Sequence, residues 1–273
     1  MKRISLLMFF PLVGLCVQSP AQGDLLIAPT LVLFDGNKQK DELNLVNMGK
    51  DTATYSISFV NYNMKEDGHY VIIEKPDSGQ MFAEPYLRIF PRKVTLAPGE
   101  SQVVMLQCRR KPEMPDGEYR SHIYFRSENN YLPLGRKNKD TTAISVQLIP
   151  IFGISIPIII RGGIVNVSAS LTELKLGIQQ DTIQYLSLAI NRTGNISTDG
   201  DIRIQYFPSK GKSYLIGALN GVRVFTEIAK RNISVKLNKT PGLTLTNGKL
   251  KVQYIRNGIK QREVYAEAEL ELR

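Results

Sequence analysis

The feature that most constrains the fold of this chain is the recurrence of short segments in which apolar and polar residues alternate between turn residues. In residues 52–62, for example, Ala53, Tyr55, Ile57 and Phe59 would share one face of an extended strand. An amphipathic helix needs apolar residues three and four positions apart, and that periodicity is almost absent from the sequence. The pattern therefore predicts an all-β protein and argues against an α/β enzyme.

The number and spacing of these segments predict two immunoglobulin-like β-sandwich domains in tandem. Roughly seven or eight short strands fall within residues 24–161, which is typical of one such sandwich. Gly162-Gly163 is a candidate hinge, and residues 164–273 repeat the same strand pattern. Asn247-Gly248 and Asn257-Gly258 are turn dipeptides of the hairpin type, which favour positive φ. A chain of 273 residues is long enough for two domains.

Several individual strands are predicted from the same pattern. The opening segment, residues 25–34, is expected to be one continuous strand that ends at Asp35-Gly36. The closing strand of the first domain is expected within residues 141–161. In the second domain, two of the predicted strands are short and cover residues 165–169 and 222–226.

The N-terminus has the three parts of a secretory signal peptide. Met1-Lys2-Arg3 is basic, residues 4–17 are apolar, and small residues precede a cleavage site after Ala21. The apolar run is too short for a membrane-spanning helix and contains Pro11. Residues 1–21 are therefore predicted to be removed and the mature protein to be exported.

Cysteine usage and charge limit the possible functions further. Cleavage leaves Cys108 as the only cysteine, and its apolar surroundings predict a buried small side chain rather than a nucleophile. The net charge of +10 is spread along the chain, and the longest basic run is Arg109-Arg110-Lys111. Because no basic stripe with interleaved aromatic residues is present, nucleic acid is not expected as a partner.

The sequence patterns of catalytic and metal sites are missing. His69 and His122 are the only histidines, and no paired spacing suits zinc. Gly211-Lys212-Ser213 resembles the end of a phosphate-binding loop, but Tyr206 stands where that loop needs its first glycine. Asp199-Gly200-Asp201 is read as a turn. We therefore expect no catalytic activity, no cofactor, no metal and no small-molecule substrate.

Three stretches of the first predicted domain carry a family resemblance. Residues 31–36 (LVLFDG), 89–101 (IFPRKVTLAPGES) and 115–125 (PDGEYRSHIYF) follow one another with consistent order and spacing. They resemble the opening strand, the proline–glycine turn with its flanking strands, and the penultimate strand of the N-terminal domain of PapD-like periplasmic pilus-assembly chaperones. Residues 144–161 resemble the last strand of that domain. The second domain matches the family only in position and strand style.

The resemblance implies a periplasmic chaperone that binds subunits of a surface fibre, with an outer-membrane usher as a further candidate partner. In this family the chaperone lends the last strand of its first domain to a subunit that lacks its own final strand. The lent strand pairs with open backbone edges and fills an apolar groove. The residues expected to bind the partner are Ile144, Val146, Leu148, Ile154 and Ile156.

The residues of this closing strand are compatible with two placements in the fold. Ile144, Val146 and Leu148 alternate with smaller or polar residues, as in a half-buried strand. The residues beyond them are apolar on both faces, and Pro150 and Pro157 favour an edge position or bulges. A strand buried on both faces is the alternative. In that case the protein would be a structural or adhesive envelope protein that shares only the sandwich architecture with the chaperone family.

One departure from the family concerns the anchoring of the client. In the family, an arginine and a lysine grip the carboxylate at the C-terminus of the subunit, in the cleft between the domains. Leu31 and Ser155 stand at the corresponding positions here, and neither carries a charge. The candidate cations nearby in the sequence are Arg92, Arg120 and Arg161.

Overall fold

The computed structural model describes residues 25–128, 152–179, 183–239, 243–257 and 263–272. These residues form β-strands and one turn of 3-10 helix, Glu84–Tyr86, which confirms the all-β prediction. No helix in the described ranges is long and apolar enough to cross a membrane. The predicted signal peptide lies outside the described residues.

The first sandwich consists of two facing sheets and a separate hairpin. Sheet A contains, in spatial order, β1 (Leu25–Ala28), β3 (Lys40–Asn47), β9 (Ser101–Cys108) and β7 (Leu87–Phe90). Sheet B contains β2 (Val32–Phe34), β11 (Gly153–Gly162), β10 (Gly117–Ser127), β4 (Ala53–Val60) and β8 (Lys93–Leu96). The hairpin is formed by β5 (Tyr62–Met64) and β6 (Tyr70–Ile72).

The alternation seen in the sequence builds the core of this sandwich. Tyr55 and Ile57 of β4 are buried, as are Leu43 and Leu45 of β3, while the residues between them are more exposed. Successive side chains of a strand point to opposite faces, so each sheet presents one apolar face to the other. Cys108 is buried in the same core, as predicted, and this burial raises the pKa of its thiol.

The prediction of one continuous strand over residues 25–34 is wrong. β1 pairs with β3 in sheet A, whereas β2 pairs in parallel with β11 in sheet B. Pro29 follows β1 directly, and a proline has no N–H to continue the ladder. The opening segment therefore changes sheets between Ala28 and Val32.

The second sandwich has two further sheets. One contains β12 (Val167–Gln179), β13 (Ile183–Gly194) and β16 (Lys230–Lys236). The other contains β15 (Tyr214–Val224), β14 (Thr198–Pro208), β17 (Gly248–Arg256) and β18 (Val264–Leu272). β12 lies against β18 at one side and β15 lies against β16 at the other, so the two sheets approach each other along both sides.

Strand bounds are predicted less well in the second sandwich. The predicted strands at residues 165–169 and 222–226 correspond to the longer β12 and β15. β12 is interrupted by a register shift between Thr172 and Lys175, where Glu173 has a φ of 58°. Asn247 has the predicted positive φ but precedes β17 without forming a hairpin, and Gly258 lies outside the described residues. The domain boundary at Gly162-Gly163 stays a prediction.

Candidate functional site

The exposed edge of β11 is the feature of the first sandwich that relates to the predicted binding strand. β11 pairs with β10 along its whole length, from Gly153 to Gly162. On its other side it pairs with β2 only at residues 158–160. Within the described part of the chain, no strand pairs with that side of residues 153–157. We call residues 153–157 the open edge of β11.

The structure separates the predicted binding residues into three groups. Ile144, Val146 and Leu148 lie outside the described residues. Ile154 is half-buried against the first core, and Ile156 is buried within it. The side chain of Ile156 is therefore a core residue, and only the backbone of this position is available at the open edge. After Ile156, residues 158–160 have strand neighbours on both sides. This is the internal placement that the sequence analysis gave as the alternative for the closing strand.

A groove follows the open edge of β11. Its volume is about 570 Å³, and one wall is formed by Leu25, Leu26, Ile27 and Thr30 while Ile154, Ser155, Ile156 and Pro157 form the other. β1 is itself an edge strand, because it pairs only with β3. The groove therefore lies at the side of the sandwich where an edge of sheet A and an edge of sheet B remain apart. We call it the seam groove.

Aromatic side chains line the end of the seam groove that lies nearest the second sandwich. The ring of His122 is 4.8 Å from that of Tyr62 and 5.9 Å from that of Tyr70, in edge-on contacts. Burial lowers the pKa of His122 to about 3, and the nearby charges of Arg120 and Arg223 act in the same direction. His122 is therefore neutral at physiological pH. Its Nδ1 has no hydrogen-bond partner among the described residues.

Arg223 brings a positive charge from the second sandwich into the seam groove. It lies on β15, and its Nε is 3.2 Å from Oδ2 of Asp199. Burial raises the pKa of Tyr70, while Arg120, Arg231 and Arg223 all act to lower it. Three guanidinium groups and the carboxylate of Glu227 therefore act on the Tyr70 side chain from this end of the groove.

Two of the three cations predicted from the sequence lie between the sandwiches, but both are already paired. Arg120 is 3% exposed, donates to Glu227 at 2.5 Å and lies 3.7 Å from the centre of the Phe225 ring. Arg161 donates to Glu118 at 3.1 Å. Arg92 is exposed between β7 and β8, and it forms no ion pair within the described ranges. The clamp role suggested for these three residues therefore stays a prediction.

The two family positions that lack their charges also lie near the site. Leu31 packs against a small apolar cluster of Met64, Ile159 and Phe225, which joins the two sandwiches. Ser155 lines the seam groove. Arg223, which is the cation that does reach the groove, was missed by sequence reasoning. It is separated from Ser155 by a long stretch of chain, and no local motif marks it.

Buried carboxylates fix the two sandwiches against each other. Glu118 of β10 accepts hydrogen bonds from the backbone N–H and the hydroxyl of Ser197, at 3.0 and 2.8 Å. In the opposite direction, Glu227 accepts from the backbone N–H of Met64 at 2.8 Å as well as from Arg120. Each sandwich thus contributes a buried carboxylate whose donors come partly or wholly from the other.

Comparison with known proteins finds solved structures of low sequence identity. No protein-family model matches the sequence, and no curated protein matches it. The solved structures that are similar include the E. coli chaperone DraB, with 11% identity, 91% of this chain and 96% of that one covered, and a TM-score of 0.45. The Pseudomonas aeruginosa CupB2 chaperone is 9% identical over 90% of this chain and 100% of its own, with a TM-score of 0.45.

A third similar structure is a complex. It is the CsuC–CsuE chaperone–tip adhesion subunit pre-assembly complex of Acinetobacter baumannii, at 12% identity, with 77% of this chain and 89% of that chain covered and a TM-score of 0.41. In that complex a chaperone is bound to a tip adhesion subunit.

Proposed function

We propose that the protein is a periplasmic chaperone that binds subunits of a surface fibre by strand pairing at the open edge of β11 and the residues before it. The observation that carries the proposal is the one-sided pairing of residues 153–157, next to the seam groove. An unpaired strand edge offers a row of backbone donors and acceptors, which is a template for another chain. A client that lacks a strand would satisfy these groups and its own at the same time.

The apolar alternation before the open edge supports the same proposal. Ile144, Val146 and Leu148 would enter the open groove of the client, while the backbone of residues 153–157 extends the ladder. Since Ile156 is buried in its own core, it holds the strand in place rather than contacting the client.

We infer a second contact at the end of the seam groove that Arg223 lines. Arg223, with the hydroxyls of Tyr62 and Tyr70 beside it, would take an anionic group of the client, such as a chain-terminal carboxylate. The assignment rests on the position of Arg223, which lines the groove, and a client anion would compete with Asp199 for its guanidinium group. It puts the anchoring charge on the second sandwich instead of on Leu31 and Ser155.

The proposal is tested with a purified fibre subunit as the client. Val146→Asp and Leu148→Asp are expected to weaken capture of the subunit at least about tenfold, because each would place a charge in an apolar groove. Ile178→Asp is the matched control, since Ile178 is 65% exposed on β12 of the second sandwich. Co-purification and titration calorimetry measure the binding.

The melting temperatures of the same variants decide between the two functions left open by the sequence. A chaperone strand tolerates the substitutions without loss of stability. In a structural or adhesive protein the strand would be internal, as residues 158–160 are, and the variants would unfold. Normal capture of the subunit by stable Val146→Asp and Leu148→Asp variants would contradict the proposed site.

The cleft contact has its own test. Arg223→Gln is expected to weaken binding of the subunit and to remove the difference between a subunit with a free terminal carboxylate and one with an amidated terminus. If the variant still distinguishes the two termini, Arg223 is not the anchor.

A further inference from the structure

The outer face of sheet A carries an apolar surface that lies away from both cores. Phe90 is 75% exposed and Met105 is 48% exposed, and the two are direct neighbours in the register of β7 and β9. Val103 lies two positions before Met105 on the same face, and Leu26 is 53% exposed on β1. Exposed apolar side chains that are contiguous on one sheet face mark interaction surfaces more often than isolated ones do.

Two cations without ion pairs border this surface. Lys40 and Arg88 each pair with Gln107 in the register of sheet A, so they form the row next to Met105 and Phe90. Within the described ranges neither forms a salt bridge, and Arg88 only donates to the carbonyl of its neighbour Leu87. Lys40, Arg88, Phe90, Met105 and Gln107 line a concavity of about 280 Å³.

The shape and charge of the concavity define what fits it. Its volume suits one large apolar side chain, and the aliphatic stems of Lys40 and Arg88 extend its apolar wall. The charged ends of the same two side chains then face outwards without a carboxylate of their own. Glu42 is on the same sheet face, opposite Met105, but it does not line the concavity.

We propose that this face binds a second polypeptide, through a segment with one large apolar side chain flanked by carboxylates. The apolar side chain enters the concavity, and the flanking carboxylates pair with Lys40 and Arg88. β7 is the edge strand of sheet A, so the segment can also pair with its backbone. Leu26, on β1 at the opposite edge of sheet A, lines the seam groove but not the concavity, so the two proposed binding sites are separate.

The test uses a fluorescein-labelled short peptide with a central phenylalanine flanked by aspartates, and a matched peptide flanked by lysines. Fluorescence anisotropy with the full chain is expected to show binding of the acidic peptide that weakens as salt is added, and no binding of the basic one. Lys40→Glu combined with Arg88→Glu is expected to reduce the affinity at least about tenfold. Phe90→Ser combined with Met105→Gln is expected to have a similar effect.

Matched controls exclude effects of net charge and of general surface polarity. Lys210→Glu with Lys212→Glu changes the charge equally at exposed positions of the second sandwich and should leave the affinity unchanged. Ile178→Ser removes an exposed apolar side chain elsewhere. Equal binding of the acidic peptide by the Lys40/Arg88 variant and the parent, or no binding of that peptide by the parent, would overturn the proposal. The Val146→Asp variant should bind the peptide normally, so failure of the proposed chaperone function is recognised separately.

Discussion

The two sandwiches of this protein differ in how their sides are closed. In the second, β12 lies against β18 and β15 against β16, so both sides are covered by strands of the same domain. In the first, an edge of sheet A and an edge of sheet B remain apart at the seam groove. The difference indicates that a β-sandwich can either be closed or accept a strand from another chain. Which of the two applies depends on whether its edge strands are covered.

The cause of the difference lies in the opening segment. After Ala28 the chain leaves sheet A, and it reaches sheet B only at Val32, where it covers three residues of β11. If residues 25–34 had formed one continuous strand, that strand would have paired within a single sheet. The short β2 leaves residues 153–157 of β11 without a neighbour on that side, within the described part of the chain.

The largest expected effect concerns the contact that holds the two sandwiches together. Glu227→Ala would leave Arg120 buried without its carboxylate, at an expected cost of about 3–5 kcal/mol in the free energy of unfolding. Urea denaturation measures it, with Glu74→Ala as the control at an exposed position. A loss of less than about 1 kcal/mol, the range of surface ion pairs, would mean that the sandwiches are held together mainly by apolar contacts.

A second prediction concerns the pH dependence of the first sandwich. The folded pKa of His122, about 3, lies below that of an unfolded histidine, so the unfolded chain binds the additional proton at intermediate pH. The stability that depends on His122 is therefore fully present above pH ~6.5 and is lost as the pH falls towards 3. At pH ~5 the expected loss is about 2 kcal/mol.

The contribution of His122 is isolated by comparison with His122→Gln. Denaturation at neutral pH and at pH ~5 should show a smaller loss of stability in the variant than in the parent protein, because glutamine does not titrate. Identical losses in the two proteins would show that the pH dependence comes from groups other than His122.

The smallest expected effect concerns hydrogen exchange along β11, where, among the described residues, 153–157 have a strand neighbour on one side and 158–160 on both. Backbone amides of residues 153–157 that face the seam groove should exchange with solvent at least about tenfold faster than those of residues 158–160, which have strand neighbours on both sides. Hydrogen exchange followed by mass spectrometry or NMR measures this. A bound client should slow the exchange of the first group only. Equal protection of both groups in the free protein would remove the basis for strand pairing at the open edge.

The sequence was most informative where contacts are local or periodic. The strand predicted over residues 52–62 contains β4, and the burial of Ile57 and Cys108 follows from their positions in alternating or apolar segments. β12 and β15 were predicted too short, because both continue through residues with weak strand signals, such as Gly177 and Gly217. Local propensity is overridden there by pairing with neighbouring strands.

The candidate site was predictable only in part, because it depends on contacts between distant residues. The closing strand of the first sandwich was expected within residues 141–161, and in the described residues β11 covers Gly153–Gly162. The pairing of Arg120 with Glu227 joins residues 107 positions apart, and no local sequence pattern at either residue indicates its partner. The same holds for Arg223 in the seam groove. Residues from opposite ends of the chain meet there because the two sandwiches pack against each other.

The exchange of carboxylates between the sandwiches has a consequence for how this protein can be divided. Glu118 depends on Ser197 for two of its hydrogen bonds, and Glu227 depends on Arg120 and Met64. If the chain were cut at the predicted boundary Gly162-Gly163, Glu227 would lose both of these donors and Glu118 would keep only Arg161. Transplanting either half alone would therefore also require these buried carboxyl side chains to be redesigned.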